Sequence, residues 1–253
     1  MLATKKVRSL WPKEHGAYAQ LLVPLLTALA LTDVTQAGLL WAGTACMVFV
    51  GHEAALVLLG RRGARAKAQE AARAKWWLAG LLVAAAGLAA GAFALAPSSW
   101  PSLLIAAGAG GVAVVFVAVG AEKSAPGEAM AAVALTSMSL PIMHIGGWLL
   151  PRSVTVCVAW ALGFIAVTGG VRAVIAHHRA RPEPWAWPML ILGGAGCLAG
   201  GLQLPVLWTA APIVLVAWGL KLVHPSARHL RSIGVGLVIA SLATAAAMVQ
   251  WAR

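Results

Sequence analysis

Lysine and arginine fall in alternate gaps between the apolar runs of this chain, and that placement constrains its fold more than any motif. Hydropathy separates nine apolar runs, at 17–32, 38–59, 77–96, 102–120, 129–150, 154–175, 186–203, 205–222 and 233–251. A helix needs about 20 apolar residues to cross roughly 30 Å of hydrocarbon, so each run is an expected membrane span. Seventeen of the nineteen basic residues lie before the first run, or in and at the edges of the second–third, fourth–fifth, sixth–seventh and eighth–ninth gaps. Only Arg152 and Arg253 lie on the other side. Basic residues mark the cytoplasmic face. The sequence therefore predicts an all-α, polytopic transmembrane bundle of about nine spans, in one domain over 1–253, with its N-terminus cytoplasmic and its C-terminus outside. Trp11, Trp76, Trp77, Trp100, Trp148, Trp185 and Trp251 lie near expected helix ends, where interfacial indoles belong.

Composition excludes other classes. The chain is 61% hydrophobic and 10% charged, against about 25% charged in a soluble domain. Its net charge of +12 is parcelled between spans, which argues against a nucleic-acid surface and for contact with anionic lipid headgroups of the bilayer. The basic start, the first apolar run and Ala28-Leu29-Ala30 imitate a cleavable signal, but Glu14 and His15 abut the run; a retained first helix is expected. Cys46, Cys157 and Cys197 are isolated within spans, so small apolar packing is expected of them. Gly87-x-x-x-Gly91 and Gly196-x-x-x-Gly200 would allow close helix approach. Pro141, with Gly146 and Gly147 around His144, predicts a kink in the fifth span. Arg61 to Lys75 reads as a short amphipathic helix along the cytoplasmic surface.

The polar chemistry collects at one level. Six of the seven acidic residues and six of the seven histidines fall on the expected cytoplasmic side. Three clusters stand out: Lys13-Glu14-His15-Gly16, His52-Glu53, and Glu122-Lys123-Ser124-Ala125-Pro126-Gly127-Glu128. Ionised Glu53 facing lipid would cost a few kcal/mol, so it must face protein or a wet cavity. One reading is an ion-pair belt, with Glu53 or Glu122 neutralising Arg172, Arg61 or Lys221. The other is a cytoplasm-facing cavity in which Glu53 and Glu122 are acid/base groups and Lys13, Glu14, His15, Arg62, Lys123, Glu128 and Arg172 bind an amphipathic anionic substrate of lipid or prenyl type. A variant makes His52, Glu53 and Glu122 ligands of a divalent metal ion. No nucleotide-binding loop and no nucleophile elbow occurs in the sequence. A small-solute permease is the alternative, with His144, Thr136, Ser137 and Ser139 along its path; an accessory subunit of a membrane complex is a third.

The stretch Trp11-Pro12-Lys13-Glu14-His15-Gly16-Ala17-Tyr18-Ala19-Gln20-Leu21-Leu22-Val23-Pro24 resembles the opening signature of the YwiC-like family of bacterial integral membrane proteins. His52-Glu53 with Leu58-Leu59-Gly60-Arg61-Arg62, the 121–132 stretch and Leu230-Arg231-Ser232-Ile233-Gly234 are similar to that family too. The resemblance implies a multi-pass protein of the bacterial inner membrane and brings no activity with it. The architecture also resembles the UbiA-type prenyltransferases. That resemblance implies polar motifs at the cytoplasmic ends of helices two and four; here those places carry His52-Glu53 and Glu122 to Glu128 in place of aspartates.

Overall fold

The computed structural model describes residues 9–12, 15–226 and 229–252, with the backbone alone at His15 and Leu230. The candidate residues Lys13 and Glu14 lie outside the described residues, as does the side chain of His15. Among the described residues the secondary structure is helical throughout. The elements are α1 (His15–Leu31), α2 (Gln36–Leu58), α3 (Ala64–Leu95), α4 (Trp100–Ala118), α5 (Ala125–Ser137), α6 (Leu140–Ile145), α7 (Leu150–His178), α8 (Ala186–Gln203), α9 (Ala211–Val223) and α10 (Leu230–Ala252). A 3-10 turn leads into α4, and another, Pro205–Ala210, leads into α9. Seven segments, with α5 and α6 taken as one, are long and apolar enough to cross a membrane. The chain is a multi-pass membrane protein. α1 and α8 are shorter, at 17 and 18 residues.

α7 is the hub. It packs against α5, α8, α9 and the second 3-10 turn, with Trp160 completely buried and stacked on Phe164 at 5.5 Å between ring centroids. α2 and α3 form a tight antiparallel pair; α1 packs on α5, α6 and α10, and α10 on α9. α3 and α4 are largely uncovered, and Val83 and Val115 are among the large apolar side chains that face outward from them. Such faces are stable against lipid tails, which are as apolar as the side chains.

The glycines that permit close packing are not those of the two spaced motifs. Gly87 faces open space, and a Cβ at Gly91, Gly196 or Gly200 would meet only leucine side chains. The close backbone approaches are elsewhere. A Cβ at Gly170 would lie 2.6 Å from the Ala217 carbonyl of α9, and one at Gly193 would lie 2.8 Å from the Leu162 carbonyl of α7. A backbone carbonyl cannot swing aside as a leucine methyl can.

Two expectations are corrected. Arg61 to Lys75 does not form a separate surface helix: from Ala64 the chain runs as one helix of 32 residues to Leu95. At 1.5 Å per residue α3 is about 48 Å long, well beyond the hydrocarbon thickness. Nothing between Lys67 and Trp77 breaks it, since alanine, lysine and arginine are strong helix formers and Arg73 pairs with Glu70 one turn back at 3.1 Å. The fifth span does break, but before Pro141. α5 ends at Ser137, and Pro141 lies in the first turn of α6, where a missing N–H costs nothing. The Met138 carbonyl freed by the break accepts the Trp41 indole N–H of α2 at 2.9 Å.

Candidate functional site

Three helices end by the same device. At the end of α2 the Arg61 N–H donates to the Leu56 carbonyl (2.9 Å) and the Gly60 N–H to the Val57 carbonyl (3.0 Å), with Gly60 at φ +76°. This is the Schellman motif, which satisfies orphan carbonyls and folds the chain back. α4 repeats it with Gly120 at φ +78° and Ala121 donating to Phe116. α7 repeats it again, with Arg181 donating to Ala176, but Ala180 holds the left-handed position at φ +49°. Just past the first two turns come Arg62 and Glu122, and Arg181 closes the third. α5 then starts with Ser124 as its N-cap, its hydroxyl accepting from the Gly127 N–H at 3.1 Å, and with Glu128 in the first turn. A left-handed alanine is strained by about 1 kcal/mol. Ala180→Gly is expected to stabilise the protein by a few tenths to about 1 kcal/mol, after allowance for glycine's freer unfolded chain; thermal unfolding in detergent would register it as a raised midpoint.

These turns surround one cavity of about 790 Å³. The starts of α1 and α5 and the ends of α2, α4 and α7 meet there, and Leu237 of α10 adds to the lining. One end is charged: His52, Glu53, Arg62, Glu122, Lys123, Glu128, Arg172, Arg179, Arg181 and Glu183 all line it. The remaining wall is mostly apolar, Gln20 and Thr168 apart, and runs past Phe49, Val48 and Ala45 on α2, Val117, Val114 and Gly110 on α4, and Leu135 and Met138 on α5. α2 and α4 supply facing walls without forming a packed interface with each other. Val48 and Val114 both line the cavity and are 45% and 65% exposed.

Within the charged end the pairing is specific. Glu53 is 1% exposed, and both its oxygens accept from Arg62: Nε donates at 2.9 and 3.2 Å, and Nη2 at 2.5 Å. Such a two-pronged contact is the strongest geometry available to the pair. Arg172 bridges two carboxylates, with Nη1 donating to Glu128 at 3.0 Å and Nη2 to Glu183 at 2.9 Å; Nη1 also donates to the Lys123 carbonyl. Arg61 turns away from the acids and donates to the Ala118 carbonyl. An ion-pair belt is therefore present, but its partners are Arg62 for Glu53 and Glu128 and Glu183 for Arg172.

Glu122 differs from the other acids. Its Oε2 is buried and has no hydrogen-bond partner among the described residues. The same is true of Arg172 Nε and Glu183 Oε1. Half of the buried side-chain polar atoms left without a partner among the described residues thus belong to this one charged wall. Arg179, Arg181 and Glu183 were not among the candidates expected from sequence. The signal was the run Arg179-Ala180-Arg181-Pro182-Glu183, which reads as an ordinary connector until the turn at Ala180 directs it over the cavity.

The metal reading meets a specific obstacle. Among the described residues no three His, Cys, Asp or Glu side chains converge as a cation would require, and the two Glu53 oxygens that such a site would use already accept from Arg62. His52, Glu53 and Glu122 line one cavity without forming a ligand set, so no step through a metal is derived. The residues expected along a permease path lie apart from this cavity. Thr136, Ser137 and Ser139 are buried and donate to carbonyls of their own segment, and neither they nor His144 line the large cavity.

No curated protein and no solved structure matches the chain, and the resemblance to UbiA-type prenyltransferases gains no support. A family model described as YwiC-like protein matches residues 11–143, from the loop before α1 into α6. That region carries His52, Glu53, Arg62, Glu122, Lys123 and Glu128, while the α7 side of the cavity lies beyond it. With more than half of its length matched, and with six of the ten charged-wall residues inside the match, this chain belongs to the YwiC-like protein family.

Proposed function

We propose that this protein binds an amphipathic anionic molecule of lipid or prenyl type, headgroup at the charged end of the cavity and tail along its apolar wall. The observation that supports this is the cavity's polarity gradient, from Arg179 and Arg181 at one end to Ala45, Gly110 and Met138 at the other. Its volume is within the range of about 300–1,000 Å³ usual for sites that take a small molecule. We take the charged end to lie at the cytoplasmic face of a bacterial inner membrane, with the N-terminus inside, a reading supported by the basic residues in alternate gaps of the sequence. A ligand of this kind already resides in the bilayer, and the gap between α2 and α4, which do not pack on each other, gives its tail a sideways route. A permease is less well supported, because Thr136, Ser137 and Ser139 donate within their own segment and neither they nor His144 line this cavity.

Native mass spectrometry of protein extracted in a mild detergent tests the reading. Wild-type protein should carry a lipid-sized adduct. Val48→Trp and Val114→Trp place an indole in the apolar wall at half-exposed positions that leave the core untouched, and each should strip the adduct while the unfolding temperature holds. An adduct that persists in both variants would count against this site.

A further inference from the structure

Three polar atoms in the charged wall that have no hydrogen-bond partner among the described residues narrow the ligand class, on the basis that the cavity takes an amphipathic anion at all. Glu122 Oε2 and Glu183 Oε1 are hydrogen-bond acceptors, and Arg172 Nε is a donor. Buried polar groups are seldom left unmade, because each then loses its water and gains nothing in return. A ligand that offered only phosphate oxygens would suit Arg172, Arg179 and Arg181. It would leave both carboxylate oxygens unsatisfied and would set its own negative charge beside them. Arg172 gives its two terminal nitrogens to Glu128 and Glu183, and its Nε makes no hydrogen bond to Glu122.

Glu122 is well placed to read a donor. It follows the turn that ends α4, two residues before the Ser124 cap of α5, so its backbone is held by hydrogen bonds on both sides. Glu183 Oε2 is held by Arg172, which aims the carboxylate and leaves Oε1 over. Cations at Arg179 and Arg181 line the same cavity. The wall thus offers positive charge for an anion and two free acceptors for an adjacent donor.

We infer that the headgroup taken by this cavity carries hydrogen-bond donors, hydroxyl or ammonium, next to its anionic group, and that Glu122 receives one of them. Two lipid pairs isolate the donor at constant charge. Phosphatidylglycerol and phosphatidylmethanol are both anionic, and only the first has free headgroup hydroxyls. Phosphatidylethanolamine and phosphatidylcholine are both zwitterionic, and only the first has N–H donors.

Each lipid is titrated into full-length, delipidated protein and read by native mass spectrometry. In at least one pair the donor-bearing lipid should bind about tenfold more tightly, the effect of one hydrogen bond to a charged acceptor. Glu122→Leu should abolish that preference. Glu122→Gln keeps an acceptor oxygen but drops the charge, so a preference that survives it identifies a hydroxyl donor and one that is lost identifies ammonium. Equal binding within both pairs, or a preference unchanged in Glu122→Leu, overturns the inference while leaving lipid binding intact. Failure of all four lipids to bind removes the underlying reading and this inference with it.

Discussion

Arg62→Ala destabilises the folded bundle by about 3 kcal/mol, lowering its thermal unfolding midpoint in detergent. Glu53 is almost wholly buried on α2, and Arg62, just beyond the turn that ends that helix, supplies three short contacts to its two oxygens. Removing one member of a buried pair leaves the other charge out of water with its main partner gone, which costs about 3–5 kcal/mol. The lower end applies because Arg62 is 20% exposed. The reverse substitution separates charge from shape. Glu53→Gln with Arg62→Met removes both charges and should recover most of the loss, since replacing a whole buried pair by neutral groups is often nearly neutral. Equal loss in the single and double variants would show that the residues act through packing alone. A stable Arg62→Ala variant that nonetheless lost its lipid adduct would move Glu53 from support to ligand contact.

The second large effect concerns glycine. Gly170→Ala and Gly193→Ala should each cost about 2 kcal/mol, since the new methyl group must push a backbone carbonyl of a neighbouring helix outward and overpacking costs about 1–3 kcal/mol. The Ala217 and Leu162 carbonyls are tied into α9 and α7 and can retreat only if the helices separate. Gly87→Ala is the control. Its Cβ enters open space, and alanine favours the helix, so stability should hold or rise slightly. If Gly87→Ala were the damaging variant of the three, the assignment of close approaches would be wrong.

The cavity is built largely from residues visible in the sequence, yet the pairing inside it is not. His52, Glu53, Glu122, Lys123, Glu128 and Arg172 are all on its wall, as a count of polar residues at one membrane level suggests. Hydropathy and charge sum along the chain and need no knowledge of neighbours, so the level of each group could be read. Partner choice depends on helix rotation and on the angle at which each chain leaves its turn. Arg62 meets Glu53 because Gly60 adopts a positive φ and reverses the chain over α2. Arg181 reaches the same cavity through an alanine in that conformation, a residue no rule marks for it. The fifth span shows the same division: Pro141 announced a break, while the partner that satisfies the freed Met138 carbonyl, the Trp41 indole 97 residues away in sequence, is visible only in the fold.

What the amino-acid order determined by itself is the class of molecule: a helical bundle for a membrane, its apolar lengths, and a single charged end. These arise from the cost of placing peptide groups and charges in hydrocarbon, which acts on each segment alone. What tertiary structure decided is which carboxylate is locked and which is left free. Glu53 and Glu122 look alike in sequence; the chain reversal at Gly60 gives the first the Arg62 guanidinium, while the convergence of α2, α4 and α7 leaves the second an oxygen without a partner among the described residues.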